Sequence, residues 1–261
     1  MSAAPVPVPV AVNDKADSSL ARMLGVLDLF SEQHLHCSAE DVSAQLQVSL
    51  PTAYRYLKTL ADAGLLLRGA DARYGLGPRI IVLDHFIRQA DPVLQSGIPF
   101  MKELVAQTGF DCVVSRLHGE QLLDVHREFG SMPASLSYGR GRPRPLFLGA
   151  APKVILATLS TAQLRRLFDA RAAEASAAGL ASDWPGFRRY FARIRKAGHY
   201  FSNGELESNL AAIAAPLQLA DGSGAGALSL VTTVQRMAVI DRDKLTPLVQ
   251  RAAQDISSRL G

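Results

Sequence analysis

The residues best equipped for chemistry are cationic and hydroxylic, and they gather in one short stretch, Ser49 to Leu60. Arg55 and Lys58 can pair with phosphates or with guanine O6 and N7, while Thr52 and Tyr54 can reach phosphates or base edges. Ser49 suits a helix N-cap, Pro51 the first turn, and Gly64 the left-handed residue beyond a C-terminus, so the stretch reads as one helix. Within it Ala53, Leu57 and Leu60 recur at helical spacing and form a packing stripe; Pro51, Tyr54, Arg55 and Lys58 fall on other faces. A single exposed Arg or Lys is most often a solvated face, so the reading depends on what surrounds this helix.

Upstream, Ser38 to Val48 reads as a shorter helix opened by Ser38, with Glu40 and Asp41 suiting the dipole of its first turn. Two short helices joined by a tight turn, the second presenting cations, form the helix-turn-helix whose second helix enters the DNA major groove. Downstream, Leu65–Arg68, a turn over 69–73, and Tyr74–Leu76 read as a β-wing. Arg68 and Arg73 on it suit phosphate or minor-groove contacts. Ser18 or Ser19 caps a support helix to about Ser31, with Leu20, Met23, Leu24, Leu27 and Phe30 at helical spacing. Charge follows the same division. Asp17, Asp28, Glu32, Glu40 and Asp41 precede the turn, whereas Arg55, Lys58, Arg68, Arg73 and Arg79 follow it against Asp62 and Asp71.

A second set of candidates lies late in the chain. Gly149-Ala150-Ala151 opens a helix continued by Lys153, and the N–H groups of such a start suit a carboxylate or other anion. Glu205 and Glu207 are close enough to suggest acid–base work, but no nucleophile or metal motif accompanies them. Bonding of loop N–H groups by Glu205 is the better reading. Strand alternation puts Ala212 and Ala214 on one face, and Ala227, Ser229, Val231 and Thr233 on another. If those faces line a pocket, it is small-walled, with hydroxyls, and suits an aromatic or short organic acid. Arg116, His118, His126 and Arg127 sit on or beside a hairpin, where a histidine is usually a surface or hydrogen-bonded residue and a hydrolase dyad with the nearby Asp124 is the weaker reading. Arg127, Arg140, Arg142 and Arg144 suit either an anionic effector or solvated loop charge. Cys37 and Cys112 lack CxxC or His/Cys companions, so two reduced, half-buried thiols are expected, with no disulfide, metal or cofactor.

These elements together resemble the IclR family of bacterial transcription regulators. The likeness rests on Leu24-Gly25-Val26-Leu27 in the first helix, the helix-turn-helix and wing, Pro145-Leu146 followed by Lys153, and Gly204-Glu205 followed by Ile213-Ala214-Ala215-Pro216. It covers nearly the whole chain after the first residues. The resemblance implies a PAS/GAF-like domain that holds a small effector against the Gly149 segment and the late strands. On that basis Gly149, Ala150, Ala151, Glu205, Asn209, Ala212, Ser229 and Val231 are the effector-site residues, and Ser49, Pro51, Thr52, Tyr54, Arg55, Lys58, Arg68 and Arg73 the DNA-binding ones. Two departures bear on ligand identity. The family's Thr-Ala-x-Gly-Lys becomes Gly149-Ala150-Ala151-Pro152-Lys153, and Asn209 replaces a usual glycine. The resemblance also implies a homodimer or a dimer of dimers on a palindromic double-stranded operator, with a linker helix aiding the dimer.

The 261 residues and net charge of +4 fit two ordinary domains and a nucleic-acid partner. The expected division is a disordered tail over 1–17, a winged helix-turn-helix over 18–78, a linker helix over 79–91 with Ile80, Leu83, Phe86 and Ile87 on one face, and an effector-binding and oligomerisation domain over 92–261. Mixed hairpins and helices in the last part argue for an antiparallel sheet covered by helices, an α+β fold. Without an apolar run of about 20 residues, no membrane span is expected and the chain reads as cytoplasmic. Two rival readings are a PAS/GAF-like enzyme acting on its ligand, and a ligand-free architectural or partner-binding protein.

Overall fold

The computed structural model describes residues 18–260, so the segment read as a disordered tail lies outside the described residues. The described residues divide into two compact units, the first ending at Ala90 and the second beginning at Asp91.

In the first unit, Ser18 caps α1 (Ser19–Leu24) by accepting the Ala21 N–H at 3.1 Å. The support helix does not run on to Ser31 as expected. At Gly25 it tightens into a 3₁₀ turn, Gly25–Leu29, which rotates the packing face. Val26 is buried, and of the expected stripe Met23, Leu27 and Phe30 pack against the same core whereas Leu20 and Leu24 are exposed. Ser38 and Asp41 form a reciprocal capping box on α2 (Ala39–Leu46), and Gln47 turns the chain through the left-handed region at φ 52°. The second helix, α3 (Leu50–Asp62), buries Ala53, Tyr56, Leu57 and Leu60 against Val26, Val42, Leu66 and Tyr74. Gly64, at φ +73°, releases the chain into the wing. There β1 (Leu66–Arg68) pairs with β2 (Tyr74–Leu76), and Cys37 bridges to Tyr74 to tie the wing to the body. The last element, α4 (Arg79–Ala90), buries none of its residues: Ile81, Leu83, Phe86 and Ile87 are all exposed.

The second unit is built on a six-stranded antiparallel sheet. Its strands are β3 (Asp111–His118), β4 (Gln121–Glu128), β5 (Pro143–Arg144), β6 (Tyr200–Asn203), β7 (Leu210–Gln218) and β8 (Gly224–Thr233), in the order β5-β4-β3-β8-β7-β6. The short β5 forms inside what reads as a Pro- and Arg-rich loop; Pro143, lacking an N–H, is tolerated because β5 is an edge. Alternation gives the sheet two apolar faces. One presents Cys112, Val114, Ile213, Ala215, Leu228 and Leu230 to α5 (Pro92–Thr108) and α10 (Arg242–Ser257). The other presents Leu122, Ala214 and Ala227 to α6 (Ala150–Thr158), with α7 (Thr161–Ala177) and α8 (Trp184–Ala197) stacked beyond it around Phe168, Phe187 and Phe191. A short α9 (Val234–Ala238) closes β8. Cys37 and Cys112 are free thiols and fully buried rather than half-buried. No helix among the described residues is long and apolar enough to cross a membrane.

Candidate nucleic-acid interface and effector cavity

The packing stripe of α3 fixes which side chains it presents outward. With Ala53 and Leu57 completely buried and Leu60 nearly so, Pro51, Tyr54, Arg55 and Lys58 are forced onto the exposed side. No carboxylate among the described residues pairs with Arg55 or Lys58; the Arg55 guanidinium lies 6.0 Å from the centre of the Tyr56 ring. Ser49 stands at the N-cap with extended backbone, but its hydroxyl meets the Thr52 hydroxyl at 2.9 Å instead of a backbone N–H. The first-turn N–H groups of α3 thus have no side-chain cap, which favours an approaching anion.

The two wing cations differ. Arg68 is exposed, with no acidic partner among the described residues. Arg73 is drawn back onto its own unit: its guanidinium donates to the His36 carbonyl at 3.1 Å and lies 3.8 Å from Asp41. Asp41 is itself held below the usual carboxylate range, chiefly by the Ser38 N–H that it accepts. About half of each side chain in this pair remains exposed, so solvent screens the attraction.

In the second unit the strand register gathers residues that the sequence scatters. Ala212 faces Val231, Ala214 faces Ser229, and on the other side of β8 Val113 faces Ser229. Directly paired residues share a face, so the two sets expected on separate faces form one wall. Against it lies a cavity of about 40 Å³, lined by Val113, Asp124, Leu136, Tyr138, Arg144, Ser202, Leu206, Glu207, Leu210, Ala211, Ala212 and Val231. That space is a few times the ~10–15 Å³ that one water molecule needs. Of the expected effector residues, Ala212 and Val231 line it. Ser229 is buried one strand pair away, and its hydroxyl has no partner. Ala150 and Ala151 are spent in the helical core, and Asn209 is exposed.

The start of α6 already holds an anion, and it belongs to this chain. Gly149, at φ +92°, donates its N–H to Glu205 at 3.1 Å, and Lys153 Nζ reaches the same oxygen at 2.5 Å. Tyr200 donates to the other Glu205 oxygen at 2.8 Å and accepts from Lys153 at 3.1 Å and from Tyr190 at 3.0 Å. Burial, followed by the bonds to Tyr190 and Glu205, pushes the Tyr200 phenol well above its ordinary value, so it stays a neutral donor. A carboxylate can stabilise the Lys153 ammonium in so buried a place only by direct pairing.

Polar groups that the sequence left in the background complete the cavity. Asp124 accepts from Ser115 at 2.6 Å and from Arg144 at 2.8 Å, while His126 bonds Glu128 at 2.8 Å. The Asp124 carboxylate is thus committed to Ser115 and Arg144, and the dyad with His126 gains no support. Arg144 keeps a buried Nε with no partner. Alternation on β3 was the one signal for Val113 and Ser115; nothing local marks Leu136 or Tyr138. The loop that carries those two is rooted by Asp111, which accepts from Arg127 and from the Gly130 and Ala134 N–H groups, each at 2.7 Å. It is closed at the far side by Glu207, which accepts the Ser137 N–H and hydroxyl, both at 2.9 Å. Among the described residues no three His, Cys, Asp or Glu side chains could hold a metal ion.

Comparison with known proteins bears on both units. The profile of the IclR helix-turn-helix domain matches residues 19–69, and that of the bacterial transcriptional regulator IclR C-terminal domain matches residues 86–258. The chain is similar to the HTH-type transcriptional regulator XynR of Escherichia coli, 26% identical over 93% of this chain and 97% of that protein. It is similar also to the Pca regulon regulatory protein of Pseudomonas putida, 24% identical over 93% of this chain and 84% of that protein. Its fold is that of an IclR homologue from Microbacterium hydrocarbonoxydans crystallised with 4-hydroxybenzoate, with TM-score 0.75 and 22% identity over 93% of this chain and 99% of that one. A helix-turn-helix that turns two cations outward, followed by an α/β unit of this architecture and matched over most of its length, places the chain in the IclR family of transcriptional regulators.

Proposed function

We propose that the chain binds a palindromic operator in double-stranded DNA as a homodimer or dimer of dimers, and that a small organic or aromatic acid in the second unit sets its affinity. Arg55 and Lys58, outward and without acidic partners, carry the DNA half of this reading. With them Ser49, Pro51, Thr52, Tyr54 and Arg68 form the contact surface, and Arg73 joins only by giving up Asp41. The uncovered apolar residues of α4 supply a surface for pairing with a second copy. A cytoplasmic location follows from such a role.

The acid half rests on the unpaired Arg144 Nε and Ser229 hydroxyl beside a small-walled cavity. A carboxylate and a ring hydroxyl are the groups such donors satisfy, and the 4-hydroxybenzoate held by the Microbacterium relative has both. The cavity is far below the ~300 Å³ of an ordinary ligand site, so entry requires the loop carrying Leu136 and Tyr138 to move off Glu207. Switching then requires that the acid bind one arrangement of the paired DNA heads better than the other.

Thermal unfolding against a panel of aromatic and aliphatic acids tests this half, because a true effector raises the midpoint by mass action. Uniform silence across the panel favours a ligand-free architectural protein, and turnover of any member favours the enzyme reading. A mobility-shift assay on sheared genomic DNA tests the other half; absence of any preferred fragment defeats it.

A further inference from the structure

A second concave surface of the same unit lies along α8, away from Glu207 and the sheet cavity. Its groove, about 690 Å³ and open to solvent along one side, is lined on α8 by Arg189, Tyr190, Arg193 and Lys196 and across from it by Gly179 and Leu180. Helix α8 carries Arg188, Arg189, Arg193, Arg195 and Lys196 and no acidic residue. Nearby cations are neutralised or engaged: Arg165 pairs with Asp169, Arg171 with Glu120 and Glu174, and Arg195 donates to the Ala157 and Leu159 carbonyls. Asp183, just before the helix, is spent as its N-cap. Arg189, Arg193 and Lys196 are exposed, and among the described residues no carboxylate pairs with them. Their spacing of i, i+4 and i+7 sets three positive charges in a row along one side of the helix.

The opposite wall is small and apolar. A side chain at Gly179 would meet nothing within 4 Å, so the floor is open backbone beside Leu180 and Ala181. Aliphatic floor and cationic rim together select a ligand with a planar or apolar body and several negative charges; a monoanion would neutralise one cation of three. The volume falls within the ~300–1,000 Å³ of small-molecule sites, and its concavity suits a small ligand better than the convex backbone of a duplex.

Tyr190 connects this groove to the interior. Its ring lies in the groove wall, and its hydroxyl donates to Tyr200, which in turn donates to Glu205, the carboxylate at the start of α6. The geometry points to a second ligand site: the α8 groove takes a small organic polyanion, of the nucleoside polyphosphate or coenzyme A kind, and communicates its occupancy to Glu205 through Tyr190 and Tyr200. This site is independent of the acid-effector reading and does not require it.

Trp184, the one tryptophan in the sequence, begins α8 outside the groove lining and packs tilted against Phe168, 5.9 Å between ring centres. The test titrates ATP, coenzyme A and inorganic triphosphate into the full chain at low salt and follows the heat of binding by calorimetry. ATP or coenzyme A is expected to saturate the signal more tightly than triphosphate, and which of the two is tighter identifies the class. A triple variant, Arg189→Gln, Arg193→Gln and Lys196→Gln, is expected to weaken binding at least about tenfold, as three partly exposed charge pairs together allow. Those side chains are exposed and pair with no carboxylate among the described residues, and Arg193 lies 6.0 Å from the centre of the Tyr190 ring, so the variant should melt close to the parent. Tyr200→Phe, outside the groove lining, is expected to bind the probe still, yet to lose the ligand-induced change in amide exchange over 203–210 seen in the parent. Absence of binding by all three probes, or equal binding by the triple variant, overturns the site. Binding without any exchange change over 203–210 in the parent overturns the link to Glu205. Loss of DNA affinity in the triple variant with no probe binding in the parent would instead make the helix a phosphate-backbone surface.

Discussion

Replacing Arg55 by Ala isolates recognition from folding unusually well. The guanidinium is exposed, holds no carboxylate among the described residues, and lies 6.0 Å from the centre of the Tyr56 ring. Its removal should therefore change folding stability by no more than about 0.5 kcal/mol. A base-edge interaction at this place is worth about 1–3 kcal/mol, which is a drop of about 5- to 150-fold in operator affinity. Lys58→Ala serves as the companion. If Lys58 holds a phosphate, the variant should weaken all duplexes alike and lower the slope of log K against log salt by about 0.9 for each phosphate that is no longer neutralised. Two DNA heads in a dimer bring that to about 1.8. The assay is fluorescence anisotropy on an operator fragment selected from genomic DNA, run between about 50 and 200 mM salt, with melting curves on the same samples. If Arg55→Ala keeps both its operator affinity and its salt slope while melting like the parent, α3 is not the helix that reads the duplex.

Other parts of the chain yield sharper structural expectations. Glu205→Ala strands the Lys153 ammonium, whose side chain is 5% exposed. It should cost about 2–3 kcal/mol, below the ~3–5 of a fully buried pair because Glu205 keeps some solvent; urea unfolding measures it, and a cost near zero would mean water replaces the carboxylate. Gly77→Ala would place a Cβ 2.8 Å from the Leu66 carbonyl oxygen, so the wing should come apart, with operator affinity lost and the second unit's melting unchanged. Burial raises the Cys112 thiol far above its ordinary value, with Glu128 and Asp111 adding to it, so alkylation at pH 8 should proceed only under denaturant; prompt modification of the native chain would show that β3 opens readily. The Asp41 carboxyl, lowered on folding, stabilises α2 above its unfolded value near pH 4, and that contribution should fade as the pH falls through the lower folded value. Asp41→Asn should remove this acid-limb dependence from the melting temperature, and an unaltered limb would assign it to other carboxylates.

What the sequence determined by itself is what depends on neighbours a few residues away. The capping box at Ser38 and Asp41, the turn at Gly64, and the stripe of Ala53, Leu57 and Leu60 are local, and they sufficed to show which face of α3 carries Arg55 and Lys58. The hairpin beside His118, the helix opened at Gly149 and the late strands were legible for the same reason, whereas β5, which exists only through its pairing with β4, was not. Where Gly25 lets the first helix tighten, the local pattern held for Met23, Leu27 and Phe30 but missed Val26, which the 3₁₀ turn carries into the core. Tertiary structure alone decided the pairings between distant segments. It drew Arg73 back to Asp41, filled the start of α6 with Glu205, and set Ala212, Val231 and Val113 on one wall. Each of those depends on strand register and loop closure. A shift of one residue along β8 would turn Ser229 and Val231 to the opposite face, with their local sequence unchanged.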